Sequence, residues 1–71
     1  MTRLRLSNRL NVGRAERGLT QAELARLAGV TRQTISSIEN GKFVPSALLA
    51  FVLAKRLKMP VEELFSLEGD E

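Results

Sequence analysis

Short segments separated by turn residues are the feature that most limits the possible folds of this chain. Each segment has a residue that favours a helix start ahead of an apolar pattern, and a stop residue behind it. The clearest start is Thr20 with Glu23, which form the T-x-x-E pattern of a capping box. These signals predict five helices with short connections, and hence a compact all-α domain. The predicted helices run from a Ser7 cap to about Arg17, from Thr20 to about Ala28, from Thr31 to Glu39, from Pro45-Ser46 to about Leu57, and from Pro60 through Phe65.

The two ends of the sequence leave one question of fold open. Residues 3–6 (Arg-Leu-Arg-Leu) and 65–68 (Phe-Ser-Leu-Glu) each alternate between polar and apolar side chains. Alternation of this kind is typical of a β-strand. The termini therefore either pair as a short two-stranded ribbon or remain outside regular structure.

The length of 71 residues predicts a single domain spanning residues 1–71. A chain of this size buries only roughly 60% of its unfolded surface, and without cysteine it has no disulfide to compensate, so oligomerisation is plausible. The longest apolar run, Ala47 to Ala54, has eight residues, whereas a bilayer needs about 20. Arginines interrupt the N-terminal segment where a secretory signal would be apolar. We therefore expect a cytoplasmic protein that does not enter a membrane.

The residue types that are missing exclude much of the usual enzyme chemistry. The chain has no His, Cys, Trp or Tyr, which removes thiolate and imidazole metal sites and the common nucleophile–base pairs. The adjacent carboxylates of Glu62 and Glu63 point about 100° apart on a helix and cannot face one substrate together. We expect no enzyme activity, no metal and no cofactor.

The charge is divided unevenly along the sequence. Residues 1–42 carry eight basic and three acidic side chains, a balance of +5, whereas residues 43–71 carry three basic and five acidic ones, a balance of −2. A basic half joined to a mildly acidic half suggests that one face meets a polyanion and another face has a different role.

The second and third predicted helices are separated by the three-residue turn Gly29-Val30-Thr31, with the small Ala25 one helical turn earlier. A small residue there lets two helices cross closely, which is the geometry of a helix-turn-helix. These residues belong to the longer string Gln21-x3-Ala25-x3-Gly29-Val30-Thr31-x3-Ile35-x2-Ile38-Glu39-Asn40-Gly41. With this string the chain resembles the lambda-repressor and Cro-like family of DNA-binding domains, also called the xenobiotic-response-element family, over roughly residues 8–66.

The third helix has one apolar and one polar face. Ile35 and Ile38 share the apolar face, and the opposite side is polar and capable of hydrogen bonding. The resemblance implies that the start of this helix enters the major groove of double-stranded DNA, where Arg, Gln and Ser can each bond base edges. The predicted base-reading residues are Arg32, Gln33, Ser36 and Ser37.

A second set of residues is predicted to hold the DNA backbone. Helix N-termini attract phosphate through unpaired N–H groups, and the loop after the third helix resembles family positions that touch the backbone. The predicted phosphate contacts are Gln21, Thr31, Asn40 and Lys42. Arg14 and Glu39 match a pair that forms a structural salt bridge in the family.

Gly13 departs from the family, in which the first helix usually has a large apolar residue at this position. Glycine costs up to about 1 kcal/mol in a helix interior and can leave a void. The residue marks either a weakened helix or a close approach of another segment. We expect Gly13→Leu to raise the melting temperature, and a fall would mean that another group occupies the space.

The fourth predicted helix is apolar on nearly all sides. Such a helix is either fully buried or covered by a partner, and full burial is difficult in a chain this short. We expect a homodimer whose interface contains Leu48, Phe51, Val52 and Val44.

Together these patterns predict a sequence-specific transcriptional regulator, a homodimeric repressor that reads a palindromic operator. The alternative is an antitoxin-like protein whose main role is to bind a partner protein and which also regulates its own transcription.

Overall fold

The computed structural model describes residues 3–70. Within this range the chain forms five helices and one two-stranded antiparallel sheet, so the helical fold predicted from the start and stop signals is confirmed. The elements are β1 (Arg5–Asn8), α1 (Leu10–Glu16), α2 (Gln21–Ala28), α3 (Arg32–Glu39), α4 (Ala47–Leu57), α5 (Val61–Leu64) and β2 (Phe65–Glu68).

Side-chain caps explain where α2, α3 and α4 begin. Thr20 and Glu23 form the predicted capping box: the hydroxyl of Thr20 accepts from the Glu23 N–H at 3.0 Å, and Glu23 Oε1 accepts from the Thr20 N–H at 2.8 Å. Thr31 and Ser46 each accept from the N–H three residues further on, both at 3.1 Å. These bonds satisfy helix N–H groups that lack an intrahelical partner.

The predicted start of α1 is wrong. Ser7 does not cap this helix but lies in β1 opposite Ser66. The helix begins at Leu10, whose N–H donates to Asn8 Oδ1 at 3.0 Å, and Arg9 occupies the N-cap position without a side-chain bond. The pairing with the other end of the chain holds residue 7 in a strand, so the helix starts later.

The two-stranded ribbon, one of the two alternatives that the sequence allowed for the ends of the chain, is present. It joins β1 to β2 with Leu6 opposite Leu67, and the Arg3 N–H donates to the Asp70 carbonyl at 3.0 Å beyond the strands. The first strand lies two residues later than the alternation suggested. The fifth helix ends one residue earlier than predicted, because Phe65 adopts extended backbone and begins β2.

One apolar core joins all five helices to the ribbon. The half-buried Leu6 of β1 packs against it from the ribbon. Burying this much aliphatic surface is the main source of stability. The core consists of Leu10, Leu24, Ala25, Ile35, Ile38, Leu53, Ala54, Leu57, Leu64 and Phe65.

Gly13 faces this core and does not border a void. A Cβ added there would lie 2.7 Å from Met59 Sδ and 3.1 Å from Leu57 Cδ1. The expectation that leucine would fill empty space is therefore wrong. Glycine marks a close approach, because the segment after α4 packs directly against the backbone of α1.

The outer side of α4 and Val44 in the loop before it carry apolar side chains that the described residues leave largely uncovered. The accessible fraction is 68% for Val44, 76% for Leu48 and 61% for Phe51, while the neighbouring Val52 is half-buried. We call these four residues the α4 patch. Among residues 3–70, no helix has the length and apolar character needed to cross a membrane.

Candidate nucleic-acid interface

The turn between α2 and α3 sets the geometry of the site. Gly29 adopts a left-handed conformation with φ 75°, which glycine reaches without the steric cost of a side chain. The Val30 N–H then donates to the Ala25 carbonyl at 3.0 Å, and Ala25 is almost completely buried where the two helices pack. A Cβ at Gly29 would meet nothing within 4 Å, so the backbone conformation, and not space, favours glycine here.

This turn presents α3 with one side in the core and the other outward. Ile35 and Ile38 are completely or almost completely buried, whereas Arg32 and Gln33 are exposed. Ser36 and Ser37, the two remaining predicted base-reading residues, are half-buried at the sides of the helix. The exposed first turn is therefore the part of α3 with most freedom to approach another molecule.

A chain of polar contacts connects both ends of α3 to the last turn of α1 and the start of α2. Arg14 Nε donates to Glu39 Oε2 at 2.9 Å, and Gln21 Nε2 donates to Glu39 Oε1 at 3.0 Å. Arg32 Nη1 in turn donates to Gln21 Oε1 at 3.2 Å. The Gln21 amide thus donates one hydrogen bond and accepts another, and its oxygen holds the guanidinium of Arg32 near the start of α2.

The inner part of this network is shielded from solvent. The side chains of Arg14 and Glu39 are only 22% and 9% accessible, and Arg14 also donates to the Leu19 carbonyl at 3.0 Å. A buried carboxylate is costly unless it is paired and hydrogen-bonded. Glu39 meets both conditions, so this pair has a structural role beneath the exposed surface.

The predicted phosphate contacts occupy different environments. Thr31 caps α3 and also bonds the hydroxyl of Thr34 at 3.0 Å, whereas the amide of Asn40 donates to Ser36 Oγ at 3.4 Å. Lys42 is exposed in the loop after α3. The side chain of Gln21 is hydrogen-bonded within the internal network. The groups that remain at this position to bind an anion are the backbone N–H groups at the start of α2.

Arg32 and Lys42 are exposed cations at this site. Within residues 3–70, ion pairs join Arg14 to Glu39 and Arg5 to Glu68, and no carboxylate lies within ion-pair distance of Arg32 or Lys42. Cations without a nearby carboxylate attract a polyanion at long range.

The Thr20 N–H, which donates to Glu23, holds the pKa of that carboxyl below its usual value. Glu23 is therefore ionised at neutral pH and belongs to the cap of α2.

Sequence reasoning missed two residues that hold the helix-turn-helix in place. Asn8 Nδ2 donates to the Ile38 carbonyl at 2.9 Å, and Arg56 Nε donates to the Leu27 carbonyl at 3.0 Å. Both satisfy carbonyls near the ends of α3 and α2, which have no intrahelical partner. The sequence shows that Arg56 lies in the last turn of a predicted helix. It does not show that the side chain bonds a carbonyl of another helix.

An open groove lies beside α3 and was not predicted. It has a volume of about 270 Å³ and is lined by Gln33, Thr34, Ser37, Lys42 and Phe43. Three of these residues were predicted to contact DNA, and Thr34 and Phe43 were not.

In the part of the chain that the structure describes, no three acidic, His or Cys side chains are grouped as metal ligands.

Comparison with known proteins agrees with this geometry. The sequence profile of a helix-turn-helix family matches residues 10–64. An uncharacterised HTH-type transcriptional regulator from Methanocaldococcus jannaschii is 47% identical over 66 residues, covering 93% of this chain and all of the relative. Another, YgzD from Bacillus subtilis, is 43% identical over 65 residues, covering 92% of this chain and 98% of the relative.

A solved structure extends the likeness to three dimensions. The restriction-modification controller protein C.AhdI from Aeromonas hydrophila superposes with a TM-score of 0.73 and 33% sequence identity, covering 78% of this chain and 80% of that one. The profile match includes the whole of α1 to α5. The chain therefore belongs to the lambda-repressor and Cro-like helix-turn-helix family of transcriptional regulators.

Proposed function

We propose that this protein is a homodimeric repressor that reads a palindromic operator through the major groove with α3. Residues 1–71 act as one DNA-binding domain in the cytoplasm, with no catalytic step, metal or cofactor. A repressor of this kind works by occupying a promoter, so binding alone is sufficient for its effect.

The observation that carries the proposal is the exposed first turn of α3. Arg32 and Gln33 are exposed on the side away from the buried isoleucines, and Arg32 is held by Gln21. An arginine can bridge guanine O6 and N7, and a glutamine can bridge adenine N6 and N7. A guanidinium already restrained in the free protein loses less conformational freedom on binding. Ser36 and Ser37 contribute shorter contacts from the sides of the helix.

Phosphate contacts fix the register of the protein on the duplex. The proposed groups are the backbone N–H groups at the starts of α2 and α3, beside Gln21 and Thr31, together with Asn40 and Lys42. Such contacts orient the protein without reading sequence. The Arg14–Glu39 pair supports the surface from below.

The α4 patch supports the homodimer. Three of its four side chains are more than half exposed, and an apolar surface of this kind on a small protein favours an interface with a partner. A second copy with the same patch forms a two-fold interface. The two α3 helices then meet successive major grooves about 34–36 Å apart, or at a multiple of that spacing.

The first test is selection of bound sites from random double-stranded DNA, followed by a salt titration on the selected site. We expect an inverted repeat to be enriched. Its affinity should fall with salt on a log–log slope of about −0.9 per phosphate contacted. If no sequence is enriched while a partner protein co-purifies with the chain, the antitoxin-like alternative is favoured.

Two substitutions separate base reading from backbone binding. Arg32→Ala should relax the preference at one base position, at a cost of about 1–3 kcal/mol, whereas Lys42→Ala should weaken all sites equally and reduce the salt slope by about 1. Lys55→Ala, which removes the same charge from α4, is the matched control and should change neither quantity. An unchanged preferred sequence with Arg32→Ala would refute its assignment as a base-reading residue.

A further inference from the structure

The groove beside α3 contains an aromatic residue that the proposed function does not yet use. Phe43 is 48% accessible and lies outside the apolar core of the protein. It shares the groove with the exposed Gln33 and the half-buried Ser37 of α3 and with Lys42. An exposed aromatic ring thus lies next to the side chains that are proposed to meet the DNA bases.

The loop that carries Phe43 is tied to its surroundings on both sides. The N–H of Lys42 donates to the Ser37 carbonyl at 2.8 Å, which holds the loop against α3. Two residues beyond Phe43, Pro45 is buried, and Ser46 caps α4. The ring is therefore presented from a position that the rest of the fold fixes relative to α3.

We propose that Phe43 is a further specificity-determining residue and that the groove receives the 5-methyl group of a thymine base. This inference rests on the proposed function and identifies one base that the site distinguishes. In the major groove, thymine differs from cytosine in presenting a methyl group, and apolar side chains such as phenylalanine recognise that methyl by contact. The ring of Phe43 forms one wall of the contact, and Thr34 lines the same groove from α3.

The other lining residues favour DNA over a protein partner as the occupant. Gln33 and Ser37 provide hydrogen-bonding groups for adjacent base edges, and Lys42 adds a positive charge for a phosphate. No acidic side chain lines the groove in the described part of the chain. The surface suited to a protein partner is the α4 patch, whose side chains are all apolar.

The test removes single methyl groups from the DNA. In the selected operator, each thymidine is replaced in turn by deoxyuridine, which keeps the base-pairing groups and the O4 acceptor but lacks the methyl. Wild-type protein should bind about fourfold more weakly when one particular thymine in each half-site is replaced, in line with the loss of one buried methyl contact. Phe43→Ala should bind the thymine and uracil duplexes equally at that position.

Two further variants serve as controls. Phe43→Leu keeps an apolar contact and should retain part of the difference between thymine and uracil. Leu67→Ala removes an apolar side chain that is 67% accessible on the ribbon, and it should retain all of the difference. Because Phe43 lies outside the core, its alanine variant should melt within a few degrees of wild type, which verifies that it is folded.

Each contrary result has a distinct meaning. If wild type selects an operator but Phe43→Ala shows the same sensitivity to uracil, or wild type shows none, the inference is overturned and the proposed function stands. If Phe43→Ala converts a dimer to a monomer, Phe43 belongs to the protein interface and the inference is overturned. If wild type selects no DNA sequence, the proposed function and this inference both fail.

Discussion

Lys58 ends α4 in a left-handed conformation with φ 56°, and it is the one residue other than glycine with positive φ among those described. This conformation costs a residue with a Cβ about 1 kcal/mol or more, whereas glycine reaches it readily. Lys58→Gly should therefore raise the free energy of unfolding by up to about 1 kcal/mol, measured by urea denaturation.

The matched control for this change is Lys55→Gly. Lys55 lies in the last turn of the same helix with ordinary helical geometry, so glycine there should lower stability by up to about 1 kcal/mol. Equal effects of the two glycines would show that the left-handed conformation of Lys58 is not strained.

Gly13 combines a poor helix former with a crowded position. Leucine would improve helix propensity by about 1 kcal/mol but would force Met59 and the buried Leu57 to move, at a typical cost of about 1–3 kcal/mol. We expect the cost of repacking to exceed the gain in helix propensity, so Gly13→Leu should lower the melting temperature by several degrees in a thermal scan.

A double-mutant cycle checks that Met59 is the cause. In a Met59→Ala background the sulfur that would clash is absent, so the same leucine substitution should cost less or become stabilising. A rise in melting temperature when leucine is introduced into the wild-type background would mean that Met59 moves aside freely.

The capping box makes the stability of α2 depend on pH. The Thr20 N–H, with smaller contributions from the Thr20 hydroxyl and Arg26, holds the pKa of Glu23 below its usual value. Ionised Glu23 therefore stabilises the folded state at pH values above its unfolded pKa, and this contribution is lost as pH falls through the lower folded pKa. The stability advantage of wild type over Glu23→Gln should shrink between about pH 6 and pH 3.

The measurement is denaturation of both proteins across this pH range. Glu16→Gln, which removes a carboxylate from the end of α1 outside any capping box, controls for the change in net charge. A gap between wild type and Glu23→Gln that stays constant with pH would contradict the role assigned to the carboxylate.

The helices differ in how well sequence alone could locate their starts. For α2, α3 and α4 the capping residue and the N–H that it binds are three positions apart, so the signal is local and could be recognised. For α1 the start depends on Ser7 pairing with Ser66 from the other end of the chain. A serine that can cap a helix can equally lie in a strand, and only the long-range partner decides between them.

The candidate site was predictable to the extent that it follows helical periodicity. The buried side of α3 is as predicted, because Ile35 and Ile38 fix the rotation of that helix, and Gln33 is exposed opposite them. Ser36 and Ser37, also expected on the outward face, are half-buried. The groove at Phe43 and the bond from Arg32 to Gln21 depend on how a loop and a second helix lie against α3. Spacing along the chain contains no signal for either.

At the scale of the whole molecule, the α4 patch predicts self-association. Leu48→Gln combined with Phe51→Gln replaces two largely exposed apolar side chains, so the fold should persist while the dimer dissociates. Sedimentation or light scattering should give the monomer mass, and operator affinity should fall because two half-sites no longer bind together.

Leu67→Gln is the control for this experiment, because Leu67 is equally exposed but lies on the ribbon. It should leave the mass unchanged. If the double variant keeps the wild-type mass while Leu67→Gln becomes a monomer, the ribbon and not α4 forms the interface.

The ribbon that joins the two ends of the chain also has a consequence for folding. Contacts within and between successive helices close short loops, whereas pairing β1 with β2 requires the most distant parts of the described sequence to meet. Contacts of this kind form slowly and depend on what has already assembled. We therefore expect the helix-turn-helix to take shape before the ribbon closes, and we expect hydrogen exchange to be faster at the backbone amides of the ribbon than at those of α2 and α3.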